Sequence, residues 1–258
     1  MKIIDQTGRK LSIAHHPKTI VSLVPSVTEL LFDLDMGNKI AGLTDYCIHP
    51  ADGVATKIKI GGPKNIEIAE ILSLNPDLII ASKEENVKEQ VEKLMGKCNV
   101  YVSDVKNINH ALKLIADIGL LSGREHKAEI MISQIEAGIK NLSNGIKKKK
   151  RAVYLIWNNP LLTINSDTFI NDMLRLAGFE NVFSNKSKRY PEISRREIQT
   201  QDPDYILLST EPYPFLNEHV IQFGKEFPNS KILLVDGEMF SWYGSHLLKV
   251  PEYFKHLL

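Results

Sequence analysis

The feature that most limits how this chain can fold is an internal repeat. Residues 69–82 read AEILSLNPDLIIAS, and residues 196–209 read REIQTQDPDYILLS. The match runs without a gap. Glu70 answers to Glu197, Pro76 to Pro203 and Asp77 to Asp204. Each proline disfavours helical backbone in the residue before it, so a helix is expected to end there in both copies. An apolar run follows, Leu78-Ile79-Ile80 in one and Tyr205-Ile206-Leu207-Leu208 in the other, of the length of a buried strand. One acid lies beyond each strand at the same offset, Glu84 and Glu211.

The repeat extends outward. Each half opens with an apolar strand, residues 19–24 and 152–157, followed by a turn and a helix, Thr28 to Leu34 and Phe169 to Ala177. Each half has a further strand, residues 99–102 and 231–235, ending near Asp104 or Asp236. Short apolar strands alternating with helices predict parallel sheets with crossover helices. The fold class is therefore α/β, with two similar lobes. Between them, Ala128, Met131, Ile132, Ile135, Ile139, Leu142 and Ile146 recur in steps of three and four, which marks one helical face from Arg124 to Ile146. At ~1.5 Å per residue such a helix is roughly 34 Å long, enough to join both lobes. Gly138 lowers its propensity without breaking it. The Lys147–Lys150 run suits the negative end of the helix dipole and is a weak signal for nucleic acid. The expected division is an amino-terminal lobe over 1–122, a linker helix over 123–149 and a carboxy-terminal lobe over 150–258.

A formal net charge of +1 gives no argument for a polyanionic partner, and none is expected. No apolar run is long enough to span a membrane. Cys47 and Cys98 are too few for a disulfide framework. The start, Met1-Lys2-Ile3-Ile4-Asp5-Gln6-Thr7-Gly8-Arg9, holds no signal peptide. The expectation is a cytoplasmic protein if Met1 is the natural start, and a periplasmic or cell-surface one if a signal was removed.

In parallel α/β sheets ligands bind beyond the carboxyl ends of strands. Ser26 and Glu29, after the first strand, have the spacing of a capping box, and the helix start can also hold a polar ligand group. Asp45, Tyr46, Cys47 and His49 crowd one loop after the strand at residues 40–43. Cys47 and His49 could share a metal, but no Cys-x-x-Cys or His-x-x-x-His partner completes a set, so a polar loop lining a ligand is the simpler reading. Gly61-Gly62 permits close backbone approach, with Lys64 and Asn65 beside it. Glu84 and Glu211 could act as acid and base, bind amides or hold a cation. Trp157, Tyr190, Tyr213, Phe215, Phe240, Trp242 and Tyr243 give the second half flat apolar faces with polar edges, suited to a large, partly planar ligand. G-x-S-x-G, H-E-x-x-H and G-x-G-x-x-G are absent, which argues against common hydrolases, zinc proteases and dinucleotide enzymes.

Residues 20–30 (IVSLVPSVTEL), the Asn75-Pro76-Asp77-Leu78-Ile79-Ile80 run and the long central helix resemble one family. It is the helical-backbone (class III) group of substrate-binding proteins, which serve ABC importers for cobalamin, iron-siderophores and haem. The resemblance spans the chain. It implies that Pro25 and Ser26 border the ligand from the first lobe, that Tyr46 lines it, and that Trp157 and Trp242 face it from the second. It implies that Glu70 and Glu197, one per lobe, dock onto arginines of a permease. The segments around Cys47, Lys64, Glu84 and Trp242 resemble a branch of the family without signal peptides.

The functional expectation is a non-enzymatic binding protein for a metal-centred small molecule, a corrinoid first and an iron-siderophore or haem next, held in the cleft between lobes. Its ligand contacts would be Pro25, Ser26, Tyr46, Cys47, His49, Lys64, Asn65, Glu84, Trp157, Tyr190, Glu211, Tyr213, Trp242 and Tyr243. The expected partners are that ligand and an ABC permease. No resident cofactor is expected, and the chain is expected to be a monomer. The alternative is a cytoplasmic metal-dependent enzyme using Cys47, His49, Glu84 and Glu211.

Overall fold

The computed structural model describes residues 1–143 and 149–257. The last residues of the predicted helix, including Ile146, and the start of the lysine run lie outside the described residues. The chain forms two compact units. Unit 1 comprises Met1–Val105, Asn109–Ile135 and Tyr243–Leu248, and unit 2 comprises Lys106–Ile108, Glu136–Trp242 and Lys249–Leu258.

In unit 1, β1 (Lys2–Ile4) and β2 (Lys10–Ser12) make an antiparallel pair. The chain continues through β3 (Ile20–Ser22), α1 (Pro25–Asp33), β4 (Ile40–Leu43), α2 (Ala51–Ala55) and β5 (Ile58–Lys59). The small hairpin of β6 (Gly61–Gly62) and β7 (Asn65–Ile66) leads into α3 (Ile68–Ser73), β8 (Leu78–Ser82), α4 (Lys88–Met95) and β9 (Val100–Ser103). α5 (Ile108–Ser122) and α6 (Glu125–Ser143) follow, with Ile108 and the part of α6 from Glu136 on belonging to unit 2. The main sheet is parallel, in the order β5-β4-β3-β8-β9. Its strands read as unbroken apolar runs because both faces are covered; every residue of β3 and β8 is buried.

Unit 2 repeats the plan with β10 (Lys150–Leu155), α7 (Phe169–Leu176), β11 (Phe179–Asn181), α8 (Arg195–Gln201), β12 (Tyr205–Ser209), α9 (Asn217–Glu226), β13 (Lys231–Val235), α10 (Glu238–Ser241) and α11 (Val250–Lys255). Its parallel sheet runs β11-β10-β12-β13. This is the order β4-β3-β8-β9 of unit 1, and the register repeats as well. Ile20 lies opposite Leu78 as Ala152 lies opposite Tyr205, and Ile79 opposite Val100 as Ile206 opposite Ile232. The same positions supply the cores: Val21, Leu23, Ile79 and Ala81 in one, Val153, Leu155, Ile206 and Leu208 in the other.

The predicted α/β class, with parallel sheets and crossover helices, is observed. The long helix is α6, and the boundary between units falls inside it, after Ile135. Gly138 is where Pro251 of α11 packs onto α6: a Cβ there would lie 2.7 Å from the proline Cγ. Before each repeated Pro-Asp, one residue turns left-handed to end the helix, Asn75 (φ 46°) and Asp202 (φ 41°). The capping box expected of Ser26 and Glu29 is not formed. Pro25 takes a first-turn position and makes Val24 the N-cap, so Ser26 sits inside the helix. Glu29 is buried and instead meets His246 Nδ1 at 2.8 Å.

Candidate functional site

At the carboxyl ends of the unit 1 strands, one buried amide ties three segments together. Asn86 Oδ1 accepts from Ser82 N at 2.8 Å, while its Nδ2 donates to Leu23 O (3.3 Å) and to Pro63 O (3.1 Å). The ends of β3 and β8 are thereby fixed to the β6–β7 turn. Sequence reasoning did not select Asn86, because its two carbonyl partners are remote in the chain.

Around this anchor the expected unit 1 residues take different places. Tyr46 is 65% exposed and lies over Gly62, whose missing Cβ would touch the ring at 3.4 Å. Lys64 is exposed and donates to Glu84 O at 2.9 Å, and Asn65 is exposed in β7. Glu84 is half-buried, its N–H donating to Ser82 Oγ at 3.2 Å. Cys47 is buried between two hydroxyls, 3.1 Å from Thr28 Oγ1 and 3.2 Å from Thr44 Oγ1. Burial pushes its thiol up, and the Thr28 and Thr44 hydrogen bonds oppose this in part. His49 is half-buried, with its ring 6.5 Å from that of His246. Pro25 and Ser26 are buried; the hydroxyls of Ser26 and Ser245 have no hydrogen-bond partner among the described residues. Tyr243 is buried in unit 1, donating to Ser82 Oγ (3.3 Å) and lying 3.1 Å from Glu85 Oε1. Burial, with Glu85 adding to it, holds its phenol well above the usual range.

In unit 2 the rings gather. Trp157, just beyond β10, is 39% exposed, and its indole N–H donates to Asn159 O at 3.1 Å. Tyr213 meets it edge-on at 5.5 Å and in turn contacts Phe215 (4.7 Å) and His219 (5.6 Å). Tyr190 is half-buried under the Arg189 guanidinium, 5.9 Å from the ring. Its segment joins that of Trp157 in a short antiparallel ladder, where Leu162 bridges Trp157 on one side and Glu192 on the other.

Glu211 accepts hydrogen bonds from the Ser241 hydroxyl and the Trp242 side chain. Burial pushes its carboxyl above the usual range, the Ser241 bond opposes this, and Glu238 and Asp236 add to it. Trp242 is buried. Gly237 makes this arrangement possible: a Cβ there would collide with Glu211 Cγ. Among the described residues no group of three His, Cys, Asp or Glu side chains stands together as a metal site. Nor is any helix among them long and apolar enough to cross a membrane.

The paired surface acids differ. Glu70 is exposed on α3, and its carboxylate makes no hydrogen bond or ion pair among the described residues. Glu197 sits at the third position of α8 and is fully engaged. One oxygen accepts from Lys186 Nζ at 2.7 Å, the other from Ser194 N and Oγ at 2.8 and 2.9 Å, a complete capping box. The Lys186 hydrogen bond, with the Ser194 N–H behind it, holds the carboxyl down at about 2. Beside it a cavity of about 390 Å³ is lined by Phe183, Lys186, Glu197 and Thr200. That cavity lies between α8 and the segment that follows β11.

Residues 20–228 match the model of the periplasmic binding protein family. An uncharacterized ABC transporter substrate-binding lipoprotein of Bacillus subtilis (strain 168) is 26% identical over 215 residues, 80% of this chain and 68% of the relative. The vitamin B12-binding protein of Pectobacterium atrosepticum is 24% identical over 257 residues, 95% of this chain and 91% of the relative. The crystal structure of the periplasmic vitamin B12-binding protein of Vibrio cholerae has a TM-score of 0.78 at 21% identity, covering 93% of this chain and 97% of that one. The family match covers most of the chain and extends into both units, and the chain belongs to the periplasmic binding protein family.

Proposed function

We propose that this chain binds a metal-centred small molecule, a corrinoid ahead of an iron-siderophore or haem, and delivers it to an ABC permease without chemical change. The observation that carries the reading is the pair of accessible aromatic side chains beyond the strand ends, Tyr46 in unit 1 and Trp157 in unit 2. A half-exposed indole, fixed edge-on by Tyr213 and tethered through its own N–H, is the kind of rigid apolar face that covers a flat ligand. The corrinoid preference rests on the relatives named for vitamin B12. The candidate ligand contacts are, in unit 1, Pro25, Ser26, Tyr46, His49, Lys64, Asn65 and Glu84 and, in unit 2, Trp157, Tyr190, Glu211, Tyr213 and Trp242. Cys47 and Tyr243, buried like Pro25, Ser26 and Trp242, complete the proposed contacts of unit 1.

Glu70 and Glu197 are the permease contacts in this reading, with Glu70 ready to meet a cation and Glu197 needing to release Lys186. The transport role places a monomeric protein outside the cytoplasmic membrane. Titration with cyanocobalamin, cobinamide, haemin and a ferric hydroxamate tests the reading by fluorescence of the two tryptophans. Saturable binding of one of them is expected, weakened about tenfold or more by Trp157→Ala. Folded protein that binds none of the four removes the proposal.

A further inference from the structure

His219 opens α9 in an unusual way. It stands at the third position of the helix and reaches back, so that Leu216 N donates to His219 Nδ1 at 2.9 Å. This is the half of a capping box that glutamate or glutamine ordinarily supplies. Leu216 at the N-cap has no side-chain oxygen for the other half. The bond has a chemical consequence. A nitrogen that accepts a backbone N–H carries no proton, so the neutral imidazole holds its proton on Nε2. That atom lies 3.3 Å from Tyr213 Oη and donates to it. Asn158 Nδ2 donates to the same oxygen at 3.4 Å. With both acceptor directions of Tyr213 Oη taken, the phenolic proton is left to point elsewhere, and it makes no hydrogen bond to another acceptor among the described residues. Tyr213 is half-buried and stands edge-on to the half-exposed Trp157.

We infer that Tyr213 is a dedicated hydrogen-bond donor to the bound molecule and that His219 is the positioning residue that makes it one. This rests on the binding role proposed above and narrows the ligand class. The molecule must present an acceptor oxygen, such as an amide carbonyl or a carboxylate, at the rim of the flat face that Trp157 covers. A purely apolar ring would leave the phenol proton unsatisfied in a partly dry site and be disfavoured.

The experiment is a double-mutant cycle on the full chain, read as Kd for whichever of cyanocobalamin, haemin or a ferric hydroxamate the unchanged protein binds. Tyr213→Phe is expected to weaken binding by about three- to tenfold. His219→Phe keeps the aromatic packing and is expected to cost the same in the Tyr213 background and nothing once Tyr213→Phe is present. His219→Gln restores an acceptor for Leu216 N and a donor for Tyr213, and is expected to recover most of the loss. Imidazole nitrogen NMR of the unliganded protein should show the proton of His219 on Nε2. Unchanged affinity in Tyr213→Phe, additive losses in the cycle, or a proton on Nδ1 would each overturn the inference while leaving the binding role standing. Absence of binding by the unchanged protein would overturn both.

Discussion

Asp77 and Asp204, equivalent residues of the two repeats, make the same bond to the same backbone position. Asp77 Oδ2 accepts from Thr19 N at 3.1 Å, and from Lys18 N at 2.8 Å, where β3 begins. Asp204 Oδ2 accepts from Arg151 N at 2.9 Å in β10. Each carboxylate thus clamps the start of one strand to the loop before its neighbour, β3 to the loop before β8 and β10 to the loop before β12. The preceding proline and left-handed residue turn the chain so that the clamp can close.

The clamp predicts matched losses of stability. Asp77→Ala should cost about 2 kcal/mol and Asp204→Ala about 1.5 kcal/mol, since hydrogen bonds to a charged acceptor are lost. Asparagine retains an acceptor and should cost roughly half as much. Urea denaturation measures this, and a loss below about 0.5 kcal/mol in both alanine variants would show that the strand starts are held by other bonds.

Gly138→Ala sets helix propensity against packing. Alanine should favour an exposed helix interior by about 1 kcal/mol. Here its Cβ would collide with the Pro251 ring, so a net loss of about 1 kcal/mol is expected. Adding Pro251→Ala should remove the collision and turn the loss into a gain. A single variant more stable than the parent would mean that α6 and α11 do not touch at this point.

Glu211 gives a pH-dependent prediction of opposite sign to the usual carboxylate. Burial raises its folded pKa, so the folded protein binds the extra proton between the unfolded and folded values. Stability from this group is therefore greatest in acid and falls as pH rises through the raised value. Glu211→Gln keeps an acceptor for Ser241 and cannot ionise. It should match the parent in acid and exceed it progressively toward neutral pH. Denaturation midpoints from about pH 4 to pH 8 test this, and parallel curves would count against a desolvated carboxyl.

Glu197 behaves the other way. Its folded value of about 2 lies below the ordinary 4.5, so its contribution is present above that ordinary range and is lost as pH falls toward 2. The pair is close to half exposed, which limits the effect to under about 1 kcal/mol. In a carboxyl NMR titration, Lys186→Ala should move Glu197 upward, yet not to 4.5, because Ser194 still donates. An unmoved titration would mean that Lys186 is elsewhere in solution.

The architecture was legible because it is carried by local patterns. Apolar runs bounded by Pro-Asp marked β8 and β12, and the helical stripe from Ala128 to Leu142 marked α6. The repeat foretold equal topologies because its Pro-Asp ties β8 to β3 and β12 to β10 in the same way. Where sequence spacing misled, a distant residue had intervened. Ser26 and Glu29 have the spacing of a capping box, but Pro25 shifts the helix start and Glu29 turns to a histidine 217 positions away. Asn86 is unremarkable as a letter and becomes an anchor only when two remote carbonyls converge on it. His219 did carry a signal, its third position after Leu216, hidden because imidazole seldom fills that place.

The return of Tyr243–Leu248 to unit 1 also bears on how the protein is made. On a ribosome, the strands of the first sheet emerge long before His246 and Tyr243 do. At ~5–20 residues per second, the delay after Ile135 is on the order of ten seconds. Through that interval the nascent first unit lacks the imidazole that meets Glu29 and the phenol that meets Ser82. Completion of the earlier-made half therefore waits on the last stretch of translation, and a transcript cut short near its end would damage the beginning of the molecule.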